Sequence, residues 1–202
     1  MTTPESAPKT RGRVIRWARL YDIGNRLLFL GREASFREAT VDLGRIEPGH
    51  RVLDVGCGTG NVTLAAARRA GPSGAVFGID AAPEMIREAS RKAERQKTPV
   101  EFRVGLVEDL PFEDGQFDVV LSSLMLHHLP ADLKRKGIAE IGRVLKPGGR
   151  FAAVDFDPPL IRNMRIVRDT MDAVGFIEMR TGRTKLWVVS YIVGSKGAFD
   201  NR

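Results

Sequence analysis

The stretch Val52-Leu53-Asp54-Val55-Gly56-Cys57-Gly58-Thr59-Gly60 constrains this chain more than any other. An apolar run breaks into glycines that alternate with small residues, and a helix-compatible segment from Val62 to Ala70 follows. That order reads as strand, tight loop and helix N-terminus. Glycine permits positive φ and close approach of a ligand to the backbone. The free N–H groups of the first helical turn favour an anionic group such as a carboxylate or phosphate. A small polar ligand is therefore expected at this loop.

The spacing narrows the ligand. A dinucleotide fingerprint G-x-G-x-x-G needs glycine at position 61, which is Asn61, so a nicotinamide or flavin dinucleotide is disfavoured. A nucleotide triphosphate loop needs Lys and Ser/Thr after Gly60, and neither follows. What remains is an acid, Asp54, and three glycines at alternate positions after a buried strand. This resembles motif I of the class I S-adenosylmethionine-dependent methyltransferases. The nearest resemblance is to their broad type 11 group and to the ubiquinone/menaquinone methyltransferases.

From His50 onward strand-like and helix-like stretches alternate, which predicts an α/β fold with a mainly parallel sheet. Strands are expected at Arg51–Val55, Ala75–Ile79, Val100–Val104, Phe117–Ser123, Arg150–Phe156, Phe176–Arg180 and Leu186–Val193. A tight turn at Thr181-Gly182-Arg183-Thr184 makes the final strand antiparallel. Helices are expected at Ser35–Ile46, Val62–Ala70, Pro83–Lys97, Ala131–Leu145 and Pro158–Ala173, with stops at Glu47-Pro48-Gly49, Gly71-Pro72-Ser73-Gly74 and Lys146-Pro147-Gly148-Gly149. The resemblance implies a Rossmann-like, doubly wound sheet of seven strands in the order 3-2-1-4-5-7-6. Residues 47–194 form the expected ligand-binding domain, 1–46 an N-terminal tail and helical arm, and 195–202 a loose polar tail.

The arm reads in two ways. Arg11 to Gly31 interleaves Val14, Ile15, Trp17, Leu20, Ile23, Leu27 and Leu28 with arginines, as helices packed on the domain or as an amphipathic surface for membrane lipid. The string from Tyr21-Asp22-Ile23-Gly24-Asn25 to Gly31 resembles the segment ahead of motif I in the quinone methyltransferases, which implies an arm, Tyr21 included, that closes over the methyl donor. Residues Met1 to Thr10 are polar, carry two prolines and read as disordered.

Asp80 stands 20 residues beyond Gly60, at the end of the second strand. A carboxylate there can accept hydrogen bonds from both hydroxyls of a ribose, although a strand-end cap uses the same residue type. The resemblance extends over Gly105 to Phe112, similar to the family's G-D-A-x-x-L-P-F segment with Leu106 in place of its aspartate. It implies that S-adenosylmethionine, converted to S-adenosylhomocysteine, is held by Asp54, Gly56, Cys57, Gly58, Gly60, Asp80, Ala81, Met85 and Ser123. With Leu106 present, adenine falls to the backbone of Val107 or to Glu108. On the acceptor side, Leu124-Met125-Leu126-His127-His128-Leu129 follows the fourth strand, at the end where open α/β sheets bind ligands. His127, His128 and Asp155 are the candidates to meet a substrate, set against the reading that the histidines only pack under the fold and cap the next helix.

Composition bounds the partners. The 202 residues carry a net charge of +7, with 43% hydrophobic and 28% charged residues, which suits a soluble domain with a basic surface. No stretch approaches the about 20 apolar residues of a membrane span, and no secretory signal core is visible, so a cytoplasmic location is expected, with the basic arm as the point of any peripheral membrane contact. Cys57 is the single cysteine, and the three histidines show no metal-ligand spacing, so no metal is expected. Nucleic acid rests on charge alone, because Asp157-Pro158-Pro159-Leu160 lies after the fifth strand and lacks the aromatic of an amino-methylase motif. Carbon-5 pyrimidine chemistry needs a cysteine that is already in the glycine loop. The expectation is methyl transfer to a small, lipophilic, quinol- or phospholipid-like acceptor, with a non-catalytic cofactor-sensing module as the competing class. Oligomeric state leaves no mark in the sequence.

Overall fold

The computed structural model describes residues 10–13, 33–157, 163–184 and 189–198. Seven strands form one sheet in the order β3-β2-β1-β4-β5-β7-β6. The first, β1 (Arg51–Val55), lies between β2 (Ala75–Asp80) and β4 (Phe117–Ser123), parallel to both. Beyond them lie β3 (Glu101–Val104) on one side and β5 (Leu145–Phe156) on the other, again parallel. β7 (Val189–Lys196) enters antiparallel between β5 and β6 (Phe176–Arg183). Order and orientation agree with the expected topology.

The five helices among the described residues are α1 (Glu33–Gly44), α2 (Asn61–Ala70), α3 (Pro83–Gln96), α4 (Ala131–Val144) and α5 (Asn163–Ala173). Both sheet faces are covered, which is why the central strands read as nearly unbroken apolar runs. Successive residues serve opposite faces. Val52, Leu121 and Ala152 pack with Val41 of α1 and Ala65 and Ala66 of α2, whereas Leu53, Val120 and Phe151 pack with Ile138 and Ile141 of α4 and Val167 and Met171 of α5. Strand order reverses between β1 and β4, so the loops after these strands open into one crevice.

Element ends differ from expectation for identifiable reasons. Helix α1 stops at Gly44 rather than Ile46 because Arg45 turns to a positive φ of 50°. The Lys146–Gly149 stop ends α4 at Val144, yet the chain is already strand: β5 begins at Leu145, and its register with β4 slips between Phe117 and Val119 to accommodate the extra residues. Thr181, Gly182 and Arg183, expected as a turn, lie in β6 opposite Ile192, Tyr191 and Ser190. Gly182 is a packing glycine, since a Cβ there would sit 2.6 Å from the Tyr191 ring. The chain reverses after Thr184, whose N–H donates to the Val189 carbonyl at 2.9 Å. β7 runs to Lys196, past Gly194 where the loose tail was expected; the Lys196 ammonium donates to the Leu145 carbonyl at 2.7 Å. The expected arm helices before residue 33, with Tyr21, and the first turns of the Pro158–Ala173 helix fall outside the described residues.

Candidate functional site

The glycine loop is tied to its neighbour strand by main-chain bonds. The N–H groups of Gly56 and Cys57 both donate to the Ile79 carbonyl, at 2.8 and 3.0 Å, and Gly56, Gly58 and Gly60 take φ values of 69°, 52° and 79°. Non-glycine residues rarely adopt that region. The Asp80 carboxylate joins the loop after β1 to the turn after β2, accepting from Gly58 N–H and Ala82 N–H at 2.9 Å each. One oxygen serves each bond, which leaves a lone pair on each for a ligand hydroxyl. Burial raises the Asp80 pKa, and the two backbone donors oppose that shift.

Asp54 lies beneath the loop and is 1% exposed. One carboxylate oxygen accepts from the Thr63 hydroxyl of α2 at 2.6 Å, while the other, Oδ1, is buried without a partner. Burial pushes this carboxyl up to about 7; the Thr63 bond resists the shift and the Asp80 charge adds to it. A buried carboxylate with an open oxygen suits a cation brought by a ligand, such as an ammonium.

Above the loop a cleft opens to solvent. Of the expected cofactor residues, Gly56, Gly58, Asp80, Ala81, Met85, Val107 and Glu108 line it, and His128 lines the opposite wall. Asp54, Cys57, Gly60 and Ser123 are not among its lining residues. Cys57 is buried, with its sulfur 3.1 Å from where a Cβ on Gly78 would lie, and burial pushes its thiol pKa well up. It is a packing residue. Gly60 is glycine because a Cβ would stand 2.8 Å from the Phe102 ring and 3.0 Å from Ala89, so its role is to let α2 and α3 approach. Ser123 ends β4, in register with Val154.

Three lining residues that sequence reasoning missed, Thr10, Gly12 and Arg13, come from the segment ahead of the domain. Thr10 donates its hydroxyl hydrogen to Glu108 Oε1 at 2.7 Å, Arg13 N–H donates to the His128 carbonyl at 3.1 Å, and Arg11 pairs with Asp132. The segment thus bridges both rims of the cleft. Nothing in its polar composition marks that path. Leu106, at the position of the family's aspartate, also faces the cleft and offers it an apolar surface.

The wall facing the glycine loop grows from the end of β4. Leu124 takes a positive φ of 54°, with its N–H on the Val154 carbonyl at 2.8 Å, and swings Met125 against Gly56. A Cβ on Gly56 would fall 2.1 Å from Met125 Cγ, so glycine is required there by this approach. The chain then makes one 3₁₀ turn, Leu126–His128. His127 is fastened to Asp155 of β5 twice: its backbone N–H donates to Oδ2 at 3.0 Å, and its Nδ1 meets Oδ1 at 2.5 Å. Phe156 N–H also donates to Oδ1, at 2.7 Å. Asp155 is 1% exposed and accepts three bonds, so the proton of the His127 contact lies on Nδ1. The His127 and His128 rings lie 3.9 Å apart between centroids. Burial lowers the His128 pKa to about 4, the His127 and Arg13 charges acting in the same direction and Asp155 against it, so His128 is neutral at pH 7. The structure therefore brings His127 and Asp155 together and sets His128 on the cleft wall. Behind them, Lys134 and Asn163, neither anticipated, pair with each other in the interior. Among the described residues no group of His, Cys, Asp and Glu could hold a metal, and no helix is long and apolar enough to cross a membrane.

Sheet order, glycine loop and switch-point cleft together define a Rossmann-like α/β protein of the seven-stranded type. Residues 52–149 match the family model described as a methyltransferase domain. The chain is 40% identical over 139 residues to a demethylmenaquinone methyltransferase of Thermus thermophilus, covering 69% of this chain and 62% of that one. It is 36% identical over 143 residues to the ubiquinone/menaquinone biosynthesis C-methyltransferase UbiE of a Geobacter species, covering 70% and 60%. In fold it is similar to a SAM-dependent methyltransferase from Aquifex aeolicus, with a TM-score of 0.63 and 22% identity over 79% of this chain and 88% of that one. Residues 52–149 thus match a methyltransferase domain, and in sequence the chain is similar to ubiquinone and menaquinone biosynthesis methyltransferases. It spans about 60% of the length of the curated relatives it matches.

Proposed function

We propose that the protein transfers a methyl group from S-adenosylmethionine to a small, lipophilic acceptor of the quinol type. The observation that carries this reading is the cleft itself, with the glycine loop and Asp80 on one wall and His128, backed by the His127–Asp155 pair, on the other. The residues present fit the methyl donor. Asp80 keeps one open lone pair on each oxygen for the two ribose hydroxyls, and the unpartnered Asp54 Oδ1 beneath the loop suits the charge of an ammonium. Leu106 offers a flat apolar contact for adenine, whose polar edge falls to the Val107 backbone or Glu108.

When bound, S-adenosylmethionine supplies a methyl group on a sulfonium, an electrophile with a good leaving group already in place. What the protein must add is alignment, exclusion of water and removal of a proton from the acceptor. With Nδ1 held by Asp155, the other imidazole nitrogen of His127 is an acceptor, and this pair, set behind the cleft-lining His128, is the candidate to take a hydroxyl proton from an acidic quinol. Neutral His128 adds a hydrogen-bond partner on the cleft wall. The Thr10–Arg13 segment, bonded to both rims, covers part of the opening against water. We place the reaction in the cytoplasm, with the arginine-rich stretch before the domain as the contact to a membrane that carries the acceptor. The arm of 1–46, the domain of 47–194 and the tail that follows it remain the proposed division of the chain.

Calorimetry with S-adenosylmethionine and S-adenosylhomocysteine, a dinucleotide as control, tests the donor assignment. Asp80→Ala is expected to weaken both by about 100-fold, the scale of losing charged hydrogen bonds in a shielded site. Transfer of labelled methyl groups to quinols, phospholipids and small amines then tests the acceptor. Tight donor binding with no transfer to any of them would replace the enzyme with a cofactor-sensing module. Equal binding by Asp80→Ala would remove the assignment.

A further inference from the structure

Behind the acceptor wall lies a buried polar chain that the proposed reaction has not used. Lys134, in the first turn of α4, is 5% exposed, and its ammonium donates to Oδ1 of Asn163, the first residue of α5, which is 1% exposed. The Asn163 amide donates through Nδ2 to the Phe156 carbonyl at 3.1 Å. On the other side of that residue, Phe156 N–H donates to Asp155 Oδ1 at 2.7 Å, the same oxygen that holds His127 Nδ1. The Phe156 ring stands edge-on to the His127 ring, 5.2 Å between centroids. Two hydrogen-bonded stretches, joined through the backbone of Phe156, therefore link the buried cation to the imidazole.

The path has a physical reason to exist beyond joining two helices. A lysine taken out of water costs several kcal/mol unless it is compensated, and an apolar side chain would join α4 to α5 more cheaply. Burial lowers the Lys134 pKa, and the negative charges of Asp155 and Asp157 resist that shift, so the ammonium and the two carboxylates sense one another. We propose that Lys134 and Asn163 are positioning residues for the His127–Asp155 pair, fixing the Phe156 peptide and the Asp155 carboxylate so that His127 keeps its proton on Nδ1 and its other nitrogen open. The catalytic meaning of this arrangement rests on the methyl-transfer reading; the arrangement itself does not.

Imidazole NMR of the full chain, with ring nitrogens labelled, reads the His127 tautomer. Lys134→Met, which keeps length and packing, and Asn163→Ala are each expected to reduce the Nδ1-protonated fraction. Lys134→Arg should restore most of it. Because either variant also touches the α4–α5 joint, circular dichroism and a thermal midpoint accompany each, and Asn163→Ser serves if Asn163→Ala does not fold. A Lys134→Met protein that folds with an unchanged His127 tautomer overturns the proposal and leaves a helix joint only. If the tautomer changes but no acceptor is methylated, the positioning role stands and the methyl-transfer reading falls. If transfer occurs, kcat should fall in step with the Nδ1-protonated fraction while KM hardly moves.

Discussion

Two aspartates, each 1% exposed, sit under opposite walls of the cleft, and they are treated in opposite ways. Asp155, under the acceptor wall, takes bonds from two backbone N–H groups and an imidazole, with a lysine charge nearby. Asp54, under the glycine loop, is held on one side by Thr63, and among the described residues its other oxygen has no partner. The first arrangement is finished within the chain. The second is completed only by a ligand, and until one binds its cost is carried by the folded protein. A wall built to hold its own groups and a wall built to receive a foreign charge are thereby distinguishable by where the unpaired atom lies.

The largest expected effect follows from that contrast. With its pKa at about 7 in the folded protein against 3.8 when free, Asp54 contributes stability that is complete below about 4 and is lost as pH rises through 7. Ligand-free protein should therefore weaken between pH 5 and pH 8. Asp54→Asn removes the buried charge but leaves a buried amide in its place, so the net gain at pH 8 should be about 1–2 kcal/mol, with no gain at pH 5. S-Adenosylmethionine affinity should fall in the same variant. Asp155→Asn should do the reverse, destabilising the protein because it replaces an acceptor of three bonds. Denaturant titrations at the two pH values read all of this, and a pH slope that survives Asp54→Asn would erase the distinction between the walls.

A second effect separates glycines that serve the ligand from glycines that serve packing. Gly60→Ala forces a Cβ to 2.8 Å from the Phe102 ring in a backbone with φ of 79°, and should cost about 1–3 kcal/mol of stability. Since Gly60 is not a lining residue of the cleft, the folded fraction of that variant should bind S-adenosylhomocysteine within about threefold of the parent, a change of under 1 kcal/mol. A binding loss much larger than the stability loss would return Gly60 to the ligand's side.

The same contrast explains what the sequence disclosed. The glycine-loop wall includes main chain held at positive φ, which requires glycine at set positions, so Gly56 and Gly58 were legible as a motif. Asp80 was legible because a strand of fixed length ends at it. Cys57 and Gly60 share the motif but face inward, and spacing alone does not say which way a loop residue turns. The opposite wall is made by the turn after β4, backed by side chains on β5, α4 and α5, and no spacing rule brings Lys134 to Asn163. His127 and Asp155 could be placed at the correct end of the sheet, but their bond depends on the register of β5 against β4 and on the αL turn at Leu124, which a β-favouring leucine does not announce. The strand order was legible because alternation of helix and strand leaves few topologies. The β6 turn was misplaced because Gly182 reads as a turn residue, while its actual cause, the Tyr191 ring, lies nine positions away on another strand.

The smallest expected effect lies where the two walls are joined. Thr10 bonds to Glu108 beside the cofactor loop, and Arg13, three residues on, bonds to the carbonyl of His128 on the acceptor wall. If these bonds hold the segment across a bound donor, Thr10→Val removes one of them while keeping the shape of the side chain. The loss should be about 1 kcal/mol, or about fivefold in the affinity for S-adenosylhomocysteine, expressed mainly as faster dissociation. The thermal midpoint of the ligand-free protein should hardly move, because Glu108 is only partly buried and water can replace the hydroxyl. Stopped-flow displacement of a fluorescent analogue measures the dissociation rate directly. An unchanged rate would mean that the segment lies over the cleft without holding what is in it, and that the two walls act on their ligands independently.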